Sequence, residues 1–343
     1  MQRDGPHAMR LVTLSLAALT WLAGAAVAGG AEGPGVAPRP LDMSAERPAI
    51  AYGPHRDGQR PGGRSPSRAQ LREDLRLISG HWRVVRLYGS AEVAPKLLEL
   101  IRDDRLDLGV LLGVWIAAEA RWDSSGRLIE RFPDAAEANR REIEAGVKLA
   151  NRYPSIVRAL VVGNETQVYW SAARVPHAQL VDAIREVRAR VAQPVTSGDD
   201  FAFWEHPDSR ALAAELDFVM VHLHPLWNGS QLDTAITWVA RRHGVVAALH
   251  PGRPVVIGET GWATRRNDQG DQGKLMKGVL GEAEQARYLV DLEAWVARTG
   301  VPTVVFEAFD ENWKGGPDPA DVEKHWGVYR ADRTPKRAAE DWP

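Results

Sequence analysis

The sequence predicts an α/β fold of the (β/α)8 TIM-barrel class, and three observations predict it. From Ala49 onward, short β-like apolar runs alternate with helical patterns, as a parallel sheet with crossover helices requires. Eight such strand–helix units fit into about 280 residues, near the roughly 250 usual for this barrel. No Gly-rich phosphate turn follows an early strand, which removes the common mark of the competing doubly wound sheet.

The eight runs are AIAYG (49–53), VVRLYG (84–89), LGVLLGVWI (108–116), ALVVGNE (159–165), PVTSGDD (194–200), DFVMVHLHP (217–225), PVVIGETGW (254–262) and TVVFEAFDENW (303–313). Helical candidates lie between them near 67–79, 91–104, 134–153, 176–192, 207–215, 230–243 and 282–299. The segment 176–192 shows the expected order, with Pro176 at its start and apolar residues at helical spacing after it.

Ahead of the barrel, Leu11 to Ala28 is an apolar run preceded by Arg3 and Arg10. It closes in Ala26-Val27-Ala28, the small-residue pattern of signal peptidase cleavage. Residues 1–28 therefore read as a signal peptide, with Met9 an alternative start, and an uncleaved membrane anchor is the competing reading. Residues 29–48 read as a disordered linker and 49–340 as the barrel. A chain cut after Ala28 carries no membrane span and is expected to be secreted or periplasmic, and a monomer.

Charged residues at 26% and hydrophobic residues at 44% fit a folded soluble domain. A net charge of -2 gives no electrostatic footprint for nucleic acid. Cysteine is absent, which excludes disulfides, thiolate metal sites and a Cys nucleophile. Trp is abundant at 13 residues, which suits either a large core or flat platforms for sugar rings.

In such a barrel the active site lies at the C-terminal strand ends. Those ends here carry Tyr52, Tyr88, Asn164 with Glu165, Asp199 with Asp200, His222 with His224, and Glu259 with Trp262. The eighth run adds Glu307, Asp310, Glu311 and Lys314. Glu165 closes the fourth run and Glu259 the seventh, and those strands face each other across the mouth. Two carboxyls about 5–5.5 Å apart suit retaining glycoside hydrolysis, in which one donates a proton and the other attacks the anomeric carbon. A buried ion pair with an arginine is the structural alternative.

The ordered motifs AYGPHRDGQ, RLYGS, VVGNE, HPLWNG, IGETGWAT, FEAFDENWKGG and EKHWGVY resemble glycoside hydrolase family 17, in its bacterial branch, from about Ile50 to Lys336. The resemblance implies Glu165 as acid/base and Glu259 as nucleophile, with Asn164 bonding the sugar 2-OH. It places Glu311, Lys314 and Glu323 in an auxiliary set near the glycone, where Lys314 either lowers the nucleophile's pKa or orders the carboxylates. Tyr52 and His224 are expected to line the cleft beside the nucleophile. The sixth run reads VHLHPLW where the plant enzymes are Tyr-rich, so their subsite specificity does not transfer.

Trp227, Trp262 and Trp326 flank the catalytic motifs and are the chosen sugar platforms, while Trp170 and Trp204 are candidates to hold an acceptor ring near Glu165. His222 and His224 share one strand face and could hold zinc. No further His set supports this, so no metal and no cofactor is expected. The Gly/Asp/Gln-rich stretch 265–278 is expected to be a mobile loop over the cleft. Three functions remain open: a retaining β-1,3-glucanase acting on β-glucan, a β-glucan transglycosylase of the same fold, and a non-catalytic glucan-binding barrel.

Overall fold

The computed structural model describes residues 35–43, 48–122 and 127–340. The signal-peptide reading of 1–28 lies outside these residues. Strands β1 (Ala49–Ala51), β2 (Val84–Arg86) and β3 (Gly109–Val114) are followed by a hairpin, β4 (Ala120–Trp122) with β5 (Leu128–Arg131). Then come β6 (Val157–Asn164), β7 (Val195–Asp200), β8 (Val219–His222), β9 (Val255–Thr260) and β10 (Thr303–Val305). All but the hairpin close into a parallel barrel in the order β1-β10-β9-β8-β7-β6-β3-β2. This is the expected (β/α)8 barrel. Its fourth, sixth and seventh strands are β6, β8 and β9.

The helices are α1 (Arg68–His81), α2 (Ala94–Asp103), α3 (Pro133–Arg152), α4 (His177–Arg190), α5 (Phe201–Trp204), α6 (Ser209–Ala213), α7 (Leu232–Leu249), α8 (Gly270–Leu275), α9 (Glu282–Thr299) and α10 (Arg337–Glu340). Local chemistry sets their ends. Ser67 and Gln70 form a reciprocal capping box at the start of α1, which buries Leu71, Leu75 and Ile78 at helical spacing. Gly300 stops α9 in a left-handed conformation, φ 68°. None of the helices among the described residues is long and apolar enough to cross a membrane.

The strands are shorter than the apolar runs that predict them. The eighth run covers 303–313, yet β10 stops at Val305. Residues past that point leave the ladder to build the barrel mouth, which is where polar and aromatic side chains are needed.

Three features differ from expectation. Residues 35–43, taken as disordered linker, are fastened to the N-terminal end of the barrel. Arg39 donates to the carbonyls of Val191 (2.8 Å), Gln193 (2.9 Å) and Arg188 (3.0 Å), and its backbone N–H donates to Asp217 (2.6 Å). Carbonyls left open before β7, and the Asp217 carboxylate before β8, thus find donors in a segment whose Pro/Gly composition suggested none. The stretch 265–278 contains α8, and Arg266 bonds the carbonyls of Gln272 (3.0 Å) and Met276 (2.6 Å), so it is a folded segment. The β4–β5 hairpin, with Leu128 and Ile129 exposed, was not anticipated.

Candidate active site

Glu165 and Glu259 meet at the C-terminal mouth. The ligand atoms of Glu165, His222 and Glu259 all lie within 4.8 Å of one another. Glu165 follows β6 through an abrupt change of backbone direction: Gly163 has φ 76° and Glu165 itself has φ 50°. Glu165 N–H donates to Gly198 O at 2.8 Å, which ties the turn to β7. Its side chain remains 22% exposed, against 7% for Glu259. In general a proton donor must reach a leaving oxygen, while an attacking carboxylate gains from a dry, fixed setting.

The setting of Glu259 is built by Arg86, Tyr88, His222 and His224. Arg86 Nη1 and Tyr88 OH each donate to Oε1 at 2.9 Å, and His224 Nε2 lies 3.2 Å from Oε2. Burial alone would push this carboxyl up. The charges of His222 and Arg86, with the His224 contact, overcome it and hold the group well below the ordinary carboxylate range. Glu259 is therefore held in its ionised form. Tyr88 is driven the other way, by burial and by the neighbouring Glu259 charge, so its hydroxyl keeps its proton and donates.

His222 is fully buried and spans the two carboxylates. Its Nε2 lies 3.1 Å from Arg86 Nη1 and its Nδ1 lies 2.9 Å from Glu165 Oε1, so one ring connects the arginine to the second carboxylate. Gly198 makes room for this pair, because a Cβ there would sit 2.9 Å from His222 Nε2 and 3.0 Å from Arg86 Nη2. Asn164 Oδ1 accepts from Arg86 Nη2 at 2.6 Å, which fixes the amide and leaves its Nδ2 hydrogens for another acceptor.

Beside this core, Lys314 Nζ lies 2.7 Å from both Glu307 and Glu311. Burial opposes ionisation of Glu311, but Lys314 and His55 bring it down to about 2, whereas burial leaves Glu307 well above the usual range. Of the two roles expected for Lys314, the one observed is ordering these carboxylates; the groups that lower Glu259 are Arg86 and the two histidines. Glu323 is near enough to feel the charges of Lys314, His224 and Glu165.

Several expected liners fall elsewhere. Tyr52 is buried, with its hydroxyl committed to Asp74 of α1 at 2.9 Å. Trp262 is fully buried, stacked on Tyr288 with Nε1 bonded to Val279 O. Trp326 is buried edge-on against His224 and Phe306. Neither offers the open face that a sugar platform requires. Trp204 is also buried, its Nε1 spent on Met220 O, so it holds no acceptor ring. Trp227 is part-buried. Among the described residues, open aromatic faces belong to Trp115, Tyr169, Trp170 and Trp313, on loops after β3, β6 and β10. Arg86 joins the site without having been chosen for it, while Tyr88 and His222, read as strand-end residues, turn out to contact the carboxylates directly. The signal was a charge inside the apolar run VVRLY and an aromatic two residues on, the spacing of one strand face.

A parallel barrel with two closely opposed carboxylates on its fourth and seventh strands, one buried and ionised and one part-exposed, defines a barrel glycosidase. The sequence model of the BtgE/BtgC glycoside hydrolase domain matches residues 49–327, and the chain belongs to that family. The glycoside hydrolase family 17 resemblance read from the motifs is borne out. A glucan 1,3-beta-glucosidase of Arthroderma benhamiae is 28% identical over 298 residues, covering 82% of this chain and 88% of that protein. The crystal structure of an endo-laminarinase from Formosa Hel1_33_131 superposes with a TM-score of 0.71 at 26% identity, covering 84% of each chain. A β-1,3-glucanosyltransferase of Rhizomucor miehei, solved with laminaritriose, shares the fold at a TM-score of 0.64 and 22% identity, over 86% of this chain and 97% of that one.

Proposed function

We propose that this chain is a retaining β-glucan hydrolase that cleaves β-1,3-glucosidic bonds. The observation that carries the reading is the spacing of the Glu165 and Glu259 oxygens, within 4.8 Å, because an inverting enzyme needs about 6.5–9.5 Å between carboxyls to admit water. Glu259 attacks the anomeric carbon while Glu165 gives its proton to the departing glucosidic oxygen, leaving a glucosyl ester on Glu259. Glu165, now a carboxylate, takes a proton from water, and the hydroxide so generated displaces Glu259 with overall retention. The two relatives named for 1,3-β-glucan or laminarin support the substrate class. A complete carboxylate pair, with Glu259 held in its ionised form, argues against a binding-only barrel.

A second reading is transfer to a sugar hydroxyl in place of water. Tyr169 and Trp170, 77% and 53% exposed on the loop that follows Glu165, are placed to stack an acceptor ring. Held there, its hydroxyl competes with water through positioning. The same proposal takes the chain to work as a monomer outside the cytoplasm after cleavage behind Ala28, which N-terminal sequencing of exported protein checks. Incubation with laminari-oligosaccharides at rising concentration, with products sized and their anomers followed by NMR, tests both readings. β-Anomers and shorter sugars identify the retaining hydrolase. Longer products identify the transferase, and initial α-anomers would overturn the retaining mechanism.

A further inference from the structure

We propose that Asp199 is a positioning residue for the acid/base, fastening the turn that presents Glu165 to the cleft. The inference rests on the acid/base role given to Glu165 above. Asp199 is fully buried at the end of β7 and does not touch the cleft carboxylates directly. Its Oδ2 accepts the backbone N–H of Gln167 at 2.8 Å, and Oδ1 accepts those of Val168 at 3.2 Å and Asp200 at 2.9 Å.

The turn needs such a fastening. Glu165 adopts φ 50°, a left-handed backbone that residues with a side chain hold only where the surroundings enforce it. Two neighbouring residues of β7 bracket it. Gly198 O takes the Glu165 N–H on one side, and the Asp199 carboxylate takes the next two free N–H groups, at Gln167 and Val168, on the other. A carboxyl group suits this task because it offers acceptor lone pairs on both oxygens; burial raises it to about 7, against the pull of the N–H groups it accepts. His222 fixes the tip of Glu165 and Asp199 fixes its root, so the proton-bearing oxygen has a defined reach.

Asp199→Asn keeps the shape but turns one acceptor into a donor, facing a backbone N–H. The test compares two laminaribiosides, one with a dinitrophenyl leaving group that needs no proton and one with a poor alkyl leaving group. Rates are referred to competent sites counted by trapping Glu259 with a 2-deoxy-2-fluoro glucoside. We expect kcat on the alkyl substrate to fall about 10–100-fold with KM within about twofold. The dinitrophenyl substrate, with azide present to replace water without a base, should stay within about threefold. Equal losses on both substrates, or no loss on either, overturn the inference. Asp199→Ser, which retains a small acceptor, is measured in the same way if the Asn variant does not fold. Glu165→Ala run in parallel separates the two levels: if it shows the leaving-group dependence and Asp199→Asn does not, this inference alone fails. If Glu165→Ala shows none, the acid/base assignment fails and takes this inference with it.

Discussion

Arg86 Nη1 lies 2.9 Å from Glu259 Oε1, with the two side chains only 1% and 7% exposed. A guanidinium so placed favours the ionised form of Glu259, and through Nη2 it orients Asn164 beside Glu165. One arginine on β2 thus connects the ends of β6 and β9.

Arg86→Met should therefore raise the pKa of Glu259, since burial would then act against the histidines alone. The acid limb of the kcat/KM profile should move to higher pH, and kcat/KM near neutrality should fall roughly 10²-fold or more. Fold stability should also drop, on the order of 3–5 kcal/mol, because a buried carboxylate loses its partner. A pH–rate profile with an unmoved acid limb would show that the guanidinium does not set this titration.

The catalytic pair can be separated by chemistry. Glu259→Ala should abolish turnover and the covalent intermediate, with azide restoring reaction from the opposite face to give an α-glucosyl azide. Glu165→Ala should lose about 10²–10⁴-fold on natural β-glucan while sparing aryl substrates with good leaving groups. Azide should give the β-product in that variant. Equal losses on natural and activated substrates, or the reverse azide stereochemistry, would exchange or remove the roles.

Asp200 links the site to stability. Burial raises its carboxyl to about 6, against the pull of the Ala202 N–H it caps. A carboxyl raised in the folded state binds more protons there than in the unfolded chain, so the stability it contributes is present at low pH and is lost as pH rises from about 4 to about 6. Asp200→Asn keeps the cap without the titration. The variant should gain on the wild type across that window, by at most about 3 kcal/mol, and the gap should stay constant above it. Denaturant unfolding of both proteins at a series of pH values measures this. A gap independent of pH would mean that Asp200 titrates like a solvated carboxyl.

Activity should survive chelators. The ligand atoms of Glu165, His222 and Glu259 are close enough to surround a metal ion, but Arg86 already occupies the cationic position against Glu259 Oε1 and His222 Nε2. Assay after exhaustive EDTA treatment checks this. A complete loss restored by zinc would make His222 and His224 ligands.

Much of this protein is written locally. The eight apolar runs determine the eight strands because alternation of strand and helix leaves a parallel barrel as the compact solution. Glu165 and Glu259 are legible for the same reason: each follows a buried run, and barrel geometry sends every strand end to one mouth. Arg86 was visible only as a charge in the wrong place. Its meaning depends on Gly198 and Gly258, more than a hundred residues away, leaving space and a carbonyl for it.

What tertiary structure alone decided is the direction in which side chains at the mouth point. Trp262 and Trp326 sit inside the motifs that flank catalysis, yet both are buried, while Trp170 and Trp313 stay open. Past the end of a strand the period-two alternation lapses, so sequence position no longer tells core from cleft. The same limit applies to residues 35–43. Their composition reads as linker, and only the carbonyls before β7, supplied by a distant segment, give the Arg39 side chain something to hold. Local sequence sets which groups exist and on which strand; the long-range packing of the barrel sets which of them meet.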